Sequence, residues 1–314
     1  MPARRLAVLG LAALAVSAAY MLVAARAPWS FLLPFRGEKL AALILVAVAV
    51  STATVLFQTI TQNRILTPAI MGFDALYVLL LTIAVFLLGG QSVVRLPAQA
   101  VFLTTAAALI GAALLLFGTL LLHARGDLLR MVLTGIIFGV LFRSLTGFLQ
   151  RLIDPNEFSV IQVASYARFN DLETDLVLIA GFVTAGAVAV AWRRRAMWDV
   201  LALGWDVAVN LGARPRRGQI EALVLIALLV SVSTALVGPV AFLGLLVVSL
   251  AHVIVPSPHH AVLLPAAALV GVIVLVGGQT VLERLMGLET PLSVIVDLLG
   301  GAVFLLLILR QVRR

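Results

Sequence analysis

RRRAMWDVLALGWDVAVNLGARPRRG, residues 193–218, is the most strongly basic interruption in an otherwise apolar chain. Arg193, Arg194, Arg195, Arg214, Arg216 and Arg217 bracket a segment in which Trp198, Leu201, Trp205, Val209 and Leu211 recur at helical spacing. An amphipathic helix lying at a membrane surface has this pattern. Because Lys and Arg accumulate on the cytoplasmic side of membranes, the segment is expected to face the cytoplasm and to orient the spans on either side of it. Taken alone, it reads equally well as an ordinary stop-transfer anchor.

The rest of the chain supplies the spans. Of its 314 residues, 63% are hydrophobic and 11% are charged, whereas a soluble domain carries about 25% charged residues. An all-α integral membrane protein is expected, with residues 1–314 as a single transmembrane domain. The net charge of +8 comes from arginines set between apolar runs, not on one polar face, so topology explains it and no nucleic acid partner is implied. With no cysteine, a disulfide framework, a thiolate metal site and a Cys nucleophile are all excluded. The N-terminus, Arg4-Arg5 followed by apolar residues 6–24, resembles a signal peptide with small residues at Ala24-Ala25. Its apolar stretch is long enough to cross about 30 Å of hydrocarbon, and it reads as a retained first helix.

Apolar runs bounded by charges, prolines or glycines place about ten helices, near 6–24, 40–61, 73–89, 98–122, 128–149, 175–192, 219–236, 240–255, 262–280 and 292–310. With the N-terminus in the cytoplasm, the cytoplasmic segments carry Arg4, Arg5, Arg64, Arg125, Arg130, the six loop arginines, Arg310, Arg313 and Arg314. The opposite side carries Arg26, Arg36, Lys39, Arg95, Arg151, Arg168 and Arg284, half as many, so both termini are expected in the cytoplasm. The outer-face loop 150–174 holds Asp154, Glu157, Asp171 and Glu173, with Pro155-Asn156 as a turn signal, and is expected to include a short surface helix. A weak inverted internal repeat shows in Pro68 with Gly72 after the second helix and Pro239 with Gly244 after the seventh, on opposite faces of the membrane.

Chemistry is sparse. Lys39 is the one lysine and lies between Glu38 and Leu40, so the chain has no phosphate-binding loop and is not expected to hydrolyse ATP. His252, His259 and His260 could hold a metal, but with no carboxylate nearby in sequence they read better as polar caps at span ends. No nucleophile-elbow pattern is present. Ionisable residues within spans are costly and are functional candidates by default: Asp74, Arg143 and Asp297. Arg143 and Asp297 each lie six residues inside the outer ends of their helices, about 9 Å deep, where a salt bridge could join them.

Four segments resemble the permease subunits of bacterial ATP-binding-cassette (ABC) importers for iron–siderophore complexes, a family that includes the cobalamin permease. NRILTPAIMGFDALY (63–77) is similar to the family's Asn-Pro-Leu-Ala-x-Pro-x-x-x-Gly segment, with Asn63, Pro68 and Gly72 in place. VGPVAFLGLLVVSLAH (237–252) is similar to Gly-Pro-Ile-x-Phe-Val-Gly-Leu-x-x-Pro-His without its Pro-His pair. PSPHHAVLLP (256–265) resembles Asp-His-Arg-x-Leu-Leu-Pro, with His260 on the His and Ala261 in place of the Arg. LETPLSVIVDLLGGAVFLLLILR (288–310) resembles the Glu-x-Pro-x-Gly segment and last helix through Glu289 and Pro291. FLQRLIDPNEF (148–158) with IMGFDALY (70–77) looks most like the branch carrying catecholate-type siderophores such as vibriobactin and anguibactin.

The resemblance implies a cobalamin-permease-like fold and alternating access in a bacterial cytoplasmic membrane. It implies two copies of an ABC ATPase that bind the ATP, a second permease (paralogue or self), a periplasmic or lipid-anchored substrate-binding protein, and no cofactor on this chain. It casts about 199–213 as a coupling helix that docks on the ATPase through Asp206, Ala208, Asn210, Leu211 and Gly212, with Gly212 as its C-terminal cap. It casts Arg36, Lys39 and Arg284 as outer-face contacts for the binding protein, and Arg143, Ser144 and Asp297 as lining the translocation pathway. An ion-coupled secondary transporter is the alternative, disfavoured by the few intramembrane carboxylates, and a membrane enzyme is disfavoured by the lack of a metal or nucleophile constellation.

Overall fold

In the computed structural model the described residues are 2–25, 28–123, 128–169, 172–287 and 291–312. Their helices run α1 (Pro2–Leu22), α2 (Trp29–Thr61), α3 (Phe73–Leu88), α4 (Gly90–Arg95), α5 (Ala98–His123), α6 (Leu128–Gln150) and α7 (Pro155–Ala164). They continue as α8 (Thr174–Arg193), α9 (Arg195–Leu201), α10 (Trp205–Asn210), α11 (Pro215–Val237), α12 (Leu243–Ile254), α13 (His260–Thr280) and α14 (Leu292–Val312). Seven helices are long and apolar enough to cross a membrane, and α3, α12 and the described part of α14 are shorter apolar helices. All ten expected spans therefore have a helix. Arg26, Arg125, Asp171, Glu289, Arg313 and Arg314 lie outside the described residues.

The core is a slab in which α2 and α11 pack on each other, flanked by α13, α5 and α8. Each of the two central helices has an apolar window 72% buried inside the protein. Each then gives way to a non-helical stretch, 62–72 after α2 and 238–242 after α11, before a short apolar helix begins. These are the Pro/Gly pairs that suggested an inverted repeat. Pro68, Ala69, Val240, Ala241 and Gly244 line one small cleft of about 20 Å³ between the central helices, so the two breaks face each other. Close approach is what the glycines supply. A Cβ on Gly244 would lie 2.1 Å from Thr54 Oγ1, and one on Gly72, which has a φ of 100°, would lie 2.9 Å from the backbone of Gly139 on α6.

Helix α2 begins eleven residues before its expected start at residue 40 and is 33 residues long, about 50 Å. Arg36 and Lys39 look like a span boundary in the sequence, but both are buried, 3% and 7% exposed. The Arg36 guanidinium donates to the carbonyls of Met21 (2.6 Å), Val23 (3.0 Å) and Ala24 (3.0 Å), the acceptors that the end of α1 leaves unsatisfied. Lys39 pairs with Glu283, which also accepts from Gln279 at 2.6 Å. A charge that finds its partners inside the protein does not end a helix. In the outer-face loop, Asp154 and Pro155 open α7 and do not form a turn: Asp154 Oδ1 accepts from Asn156 N at 2.8 Å and Pro155 takes the first helical position. Helix α4 carried no signal in the sequence reading.

Because Lys39 and Glu283 pair at a mostly buried site, where Arg284 Nη2 also lies 3.6 Å from the second Glu283 oxygen, Lys39→Met alone is expected to cost about 1–3 kcal/mol, and Lys39→Met with Glu283→Gln less. Thermal unfolding of the four proteins in detergent measures this as a double-mutant cycle. Additive losses would mean the pair contributes nothing as a pair.

Candidate functional site

Asp74 in the first turn of α3, Arg143 on α6 and Asp297 on α14 line one cavity of about 450 Å³. Its remaining wall comes from the chain after α7 and the break after α11, with Tyr166, Pro239 and Ser293. The three ionisable residues singled out for their cost inside a membrane thus meet in one space. Tight packing of α3 against α6 through Gly72 and Gly139 fixes how far apart Asp74 and Arg143 sit.

Arg143 and Asp297 share the cavity but not a salt bridge, which corrects the pairing expected from their depth. Asp297 Oδ1 accepts from the backbone N–H of Phe242 at 3.0 Å, tethering the break after α11 to α14. Phe242 is also pressed onto α14, where a Cβ on Gly300 would lie 2.4 Å from its side chain. The Arg143 side chain is exposed, available to whatever enters. Ser144 is exposed as well but is not among the residues lining this cavity. Asp74 also borders the small cleft between the central helices, among the hydroxyl-bearing Thr54, Thr67, Ser233 and Thr234. Tyr166 and Ser293 were missed by the sequence reading, because their place in the cavity is set by tertiary contacts with no local pattern.

The segment between the arginine clusters is two short helices, not one helix over 199–213. Gly204, at a φ of 103°, breaks it, and the turn Ala202–Gly204 reverses which side is buried. In α9 Trp198 is fully buried, its Nε1 donating to Ala191 O at 2.8 Å, and Leu201 is buried too. In α10 Ala208 is buried, while Trp205, Val207, Val209 and Leu211 are exposed with Asp206 and Asn210. Gly212 closes α10 at a φ of 78°: its N–H reaches Val209 O at 2.9 Å and the Ala213 N–H reaches Ala208 O at 3.0 Å, a Schellman cap. An exposed apolar knob held on a capped turn is the product.

Of the three cations expected at the opposite end, Arg36 and Lys39 are turned inward as described, so a surface contact through them is not what this structure presents. Arg284 is 19% exposed and packs over the Tyr20 ring, 5.5 Å from its centroid. The histidines also differ from expectation, since a distant carboxylate, Asp199, reaches both His259 and His260. Among the described residues no group of three His, Cys, Asp or Glu could hold a metal ion.

A helical bundle with two interrupted central helices, a charged cavity within it and an exposed apolar knob beside the arginines is that of a polytopic transport permease. The model of the FecCD transport family matches residues 5–310, and the chain belongs to that family. It is 41% identical over 283 residues to the petrobactin import system permease protein YclO of Bacillus subtilis (strain 168), covering 90% of each chain. It is 32% identical over 271 residues to the petrobactin import system permease protein FatC of Bacillus anthracis, covering 86% of this chain and 76% of that one. The ferric enterobactin transport system permease protein FepD of Escherichia coli (strain K12) is 27% identical over 267 residues, covering 84% and 78%. A solved structure described as an inward-facing metal-chelate-type ABC transporter shares the fold, with a TM-score of 0.85 over 98% of this chain and 99% of that one at 21% identity. The chain is a multi-pass membrane protein and the permease subunit of an ABC importer.

Since Asp297 holds a backbone amide and not Arg143, Asp297→Ala is expected to cost about 1.5–3 kcal/mol, and adding Arg143→Met does not restore the loss. Membrane abundance and thermal unfolding of both variants check this. Recovery in the double variant would reinstate the ion pair.

Proposed function

We propose that this permease carries iron(III)–siderophore complexes into the cytoplasm by alternating access. The observation that carries the reading is the 41% identity to a petrobactin permease across nine-tenths of both chains. Ferric petrobactin is accordingly the first substrate to test, and the catecholate assignment made from 148–158 with 70–77 is the finer form of the same reading. The membrane is the bacterial cytoplasmic membrane, with both termini and residues 193–218 on the cytoplasmic side. The chain binds no cofactor of its own. Two ABC ATPase subunits bind and hydrolyse ATP, a second permease completes the pathway, and a substrate-binding protein delivers the chelate from outside.

Asp206, Asn210, Leu211 and Gly212 form the ATPase contact, with the buried Ala208 of the expected set seating α10 against the rest of the chain; the exposed apolar side chains of α10 support this, Leu211 at 62% and Val209 at 49% exposure. Arg143 is the cation that meets the chelate. Asp74 and Asp297 in the same lining offset the Arg143 charge, so a chelate is met without being trapped; passage needs binding weak enough to release. Docking of the binding protein falls to the opposite end, where Arg284, at 19% exposure and paired with Glu283, is the least buried of the expected trio.

The complex with its ATPase and second permease, reconstituted in vesicles with binding protein, is expected to take up radiolabelled ferric petrobactin when ATP is inside. Leu211→Ser or Gly212→Pro is expected to leave the protein inserted and to abolish the stimulation of ATP hydrolysis by loaded binding protein. Uptake driven by an ion gradient without the ATPase would contradict the importer reading, and unchanged stimulation in both variants would contradict the contact.

A further inference from the structure

Between the exposed α10 and the membrane core lies α9, and two consecutive side chains hold it. Trp198 ties it back to α8 through Ala191 O. Asp199 points the other way, into a cavity of about 530 Å³ bounded by the end of α2, the turn after α9 and the start of α13. There its Oδ1 accepts from the backbone N–H of His260 at 2.7 Å and lies 2.7 Å from the Nδ1 of the same residue. The buried His260 ring continues the chain: its Nε2 is 2.7 Å from Thr59 Oγ1 on α2, and that hydroxyl is 2.8 Å from Val55 O. His260 thus uses both ring nitrogens, one toward α9 and one toward α2. His259 Nδ1 stands 3.6 Å from the second Asp199 oxygen, and His252 and Arg64 line the same cavity.

We propose that Asp199, His260 and Thr59 are positioning residues that transmit displacement of the coupling segment to α2 and α13. The inference rests on the reading of α10 as the ATPase contact. A push on α10 reaches α8 through Trp198 whatever else happens. It reaches α2, the helix that also walls the cleft between the two chain breaks, through the Asp199–His260–Thr59 chain. Among the described residues another hydrogen bond between these segments, Gln62 Nε2 to Leu201 O at 3.5 Å, is at the limit of such a bond, and Leu201 and Ile60 belong to one apolar cluster. Each bond of the chain is short and at least half-shielded, the condition under which charge-assisted bonds hold two elements as one body. The cavity beside it leaves α9 room to move if the chain is cut.

The test uses the reconstituted complex with its ATPase, second permease and binding protein, reading labelled ferric petrobactin transported per ATP hydrolysed. Thr59→Val, which removes the His260 partner with little change of shape, is expected to lower that ratio about tenfold while the ATPase still co-purifies. Thr59→Ser keeps the hydroxyl and is expected to hold the wild-type ratio. Asp199→Ala is expected to match Thr59→Val; should it fail to insert, Thr59→Val and Thr59→Ser decide alone. An unchanged ratio in Thr59→Val, an equal drop in Thr59→Ser, or a drop accompanied by loss of the ATPase overturns the proposal. A wild-type complex that binds no ATPase overturns the reading of α10 instead, and is told apart because it fails before any variant is made.

Discussion

A backbone amide left without a partner in hydrocarbon costs several kcal/mol, so a membrane chain can break a helix only where protein or a water-lined cavity surrounds the break. This constraint organises the molecule. The breaks after α2 and α11 sit against each other between the two most buried helices, and side chains and loops reach in to serve them. Gln58 donates to Arg64 O, Asp297 accepts from Phe242 N, and the Arg168 amide donates to Val237 O. Once the breaks are satisfied in this way, the short helices α3 and α12 start where they do, and the charged cavity opens beside them.

The same constraint explains why much of the fold was legible in the sequence. Long apolar runs have one solution in a membrane, so all ten spans could be placed from hydropathy, and Pro68/Gly72 and Pro239/Gly244 marked the two breaks. Charge inside a span carried information as well, since Asp74, Arg143 and Asp297 proved to be neighbours although they are far apart in sequence.

What could not be read were pairings. Arg36, Lys39 and Asp297 each chose a partner by three-dimensional proximity: helix-end carbonyls, Glu283 and a backbone amide. Equal depth of Arg143 and Asp297 was necessary for an ion pair but did not decide it. The amphipathic spacing through Trp198 and Leu211 was equally ambiguous, because a single glycine at 204 sends its two halves to opposite environments. Asp199 and His260, 61 residues apart, had no local signature at all.

The central claim is that the cavity holding Arg143 lies on the path of the chelate. Because the chain has no cysteine, a single introduced thiol reports on one position. In the reconstituted complex, Arg143→Cys and Ser293→Cys are predicted to react with a charged, membrane-impermeant thiol reagent and to be protected by ferric petrobactin delivered by its binding protein, while Phe182→Cys on the outward face of α8, 79% exposed, stays unreactive. Thiols at 143 and 293 that resist the reagent in every nucleotide state, or that react equally with and without the chelate, would contradict the account.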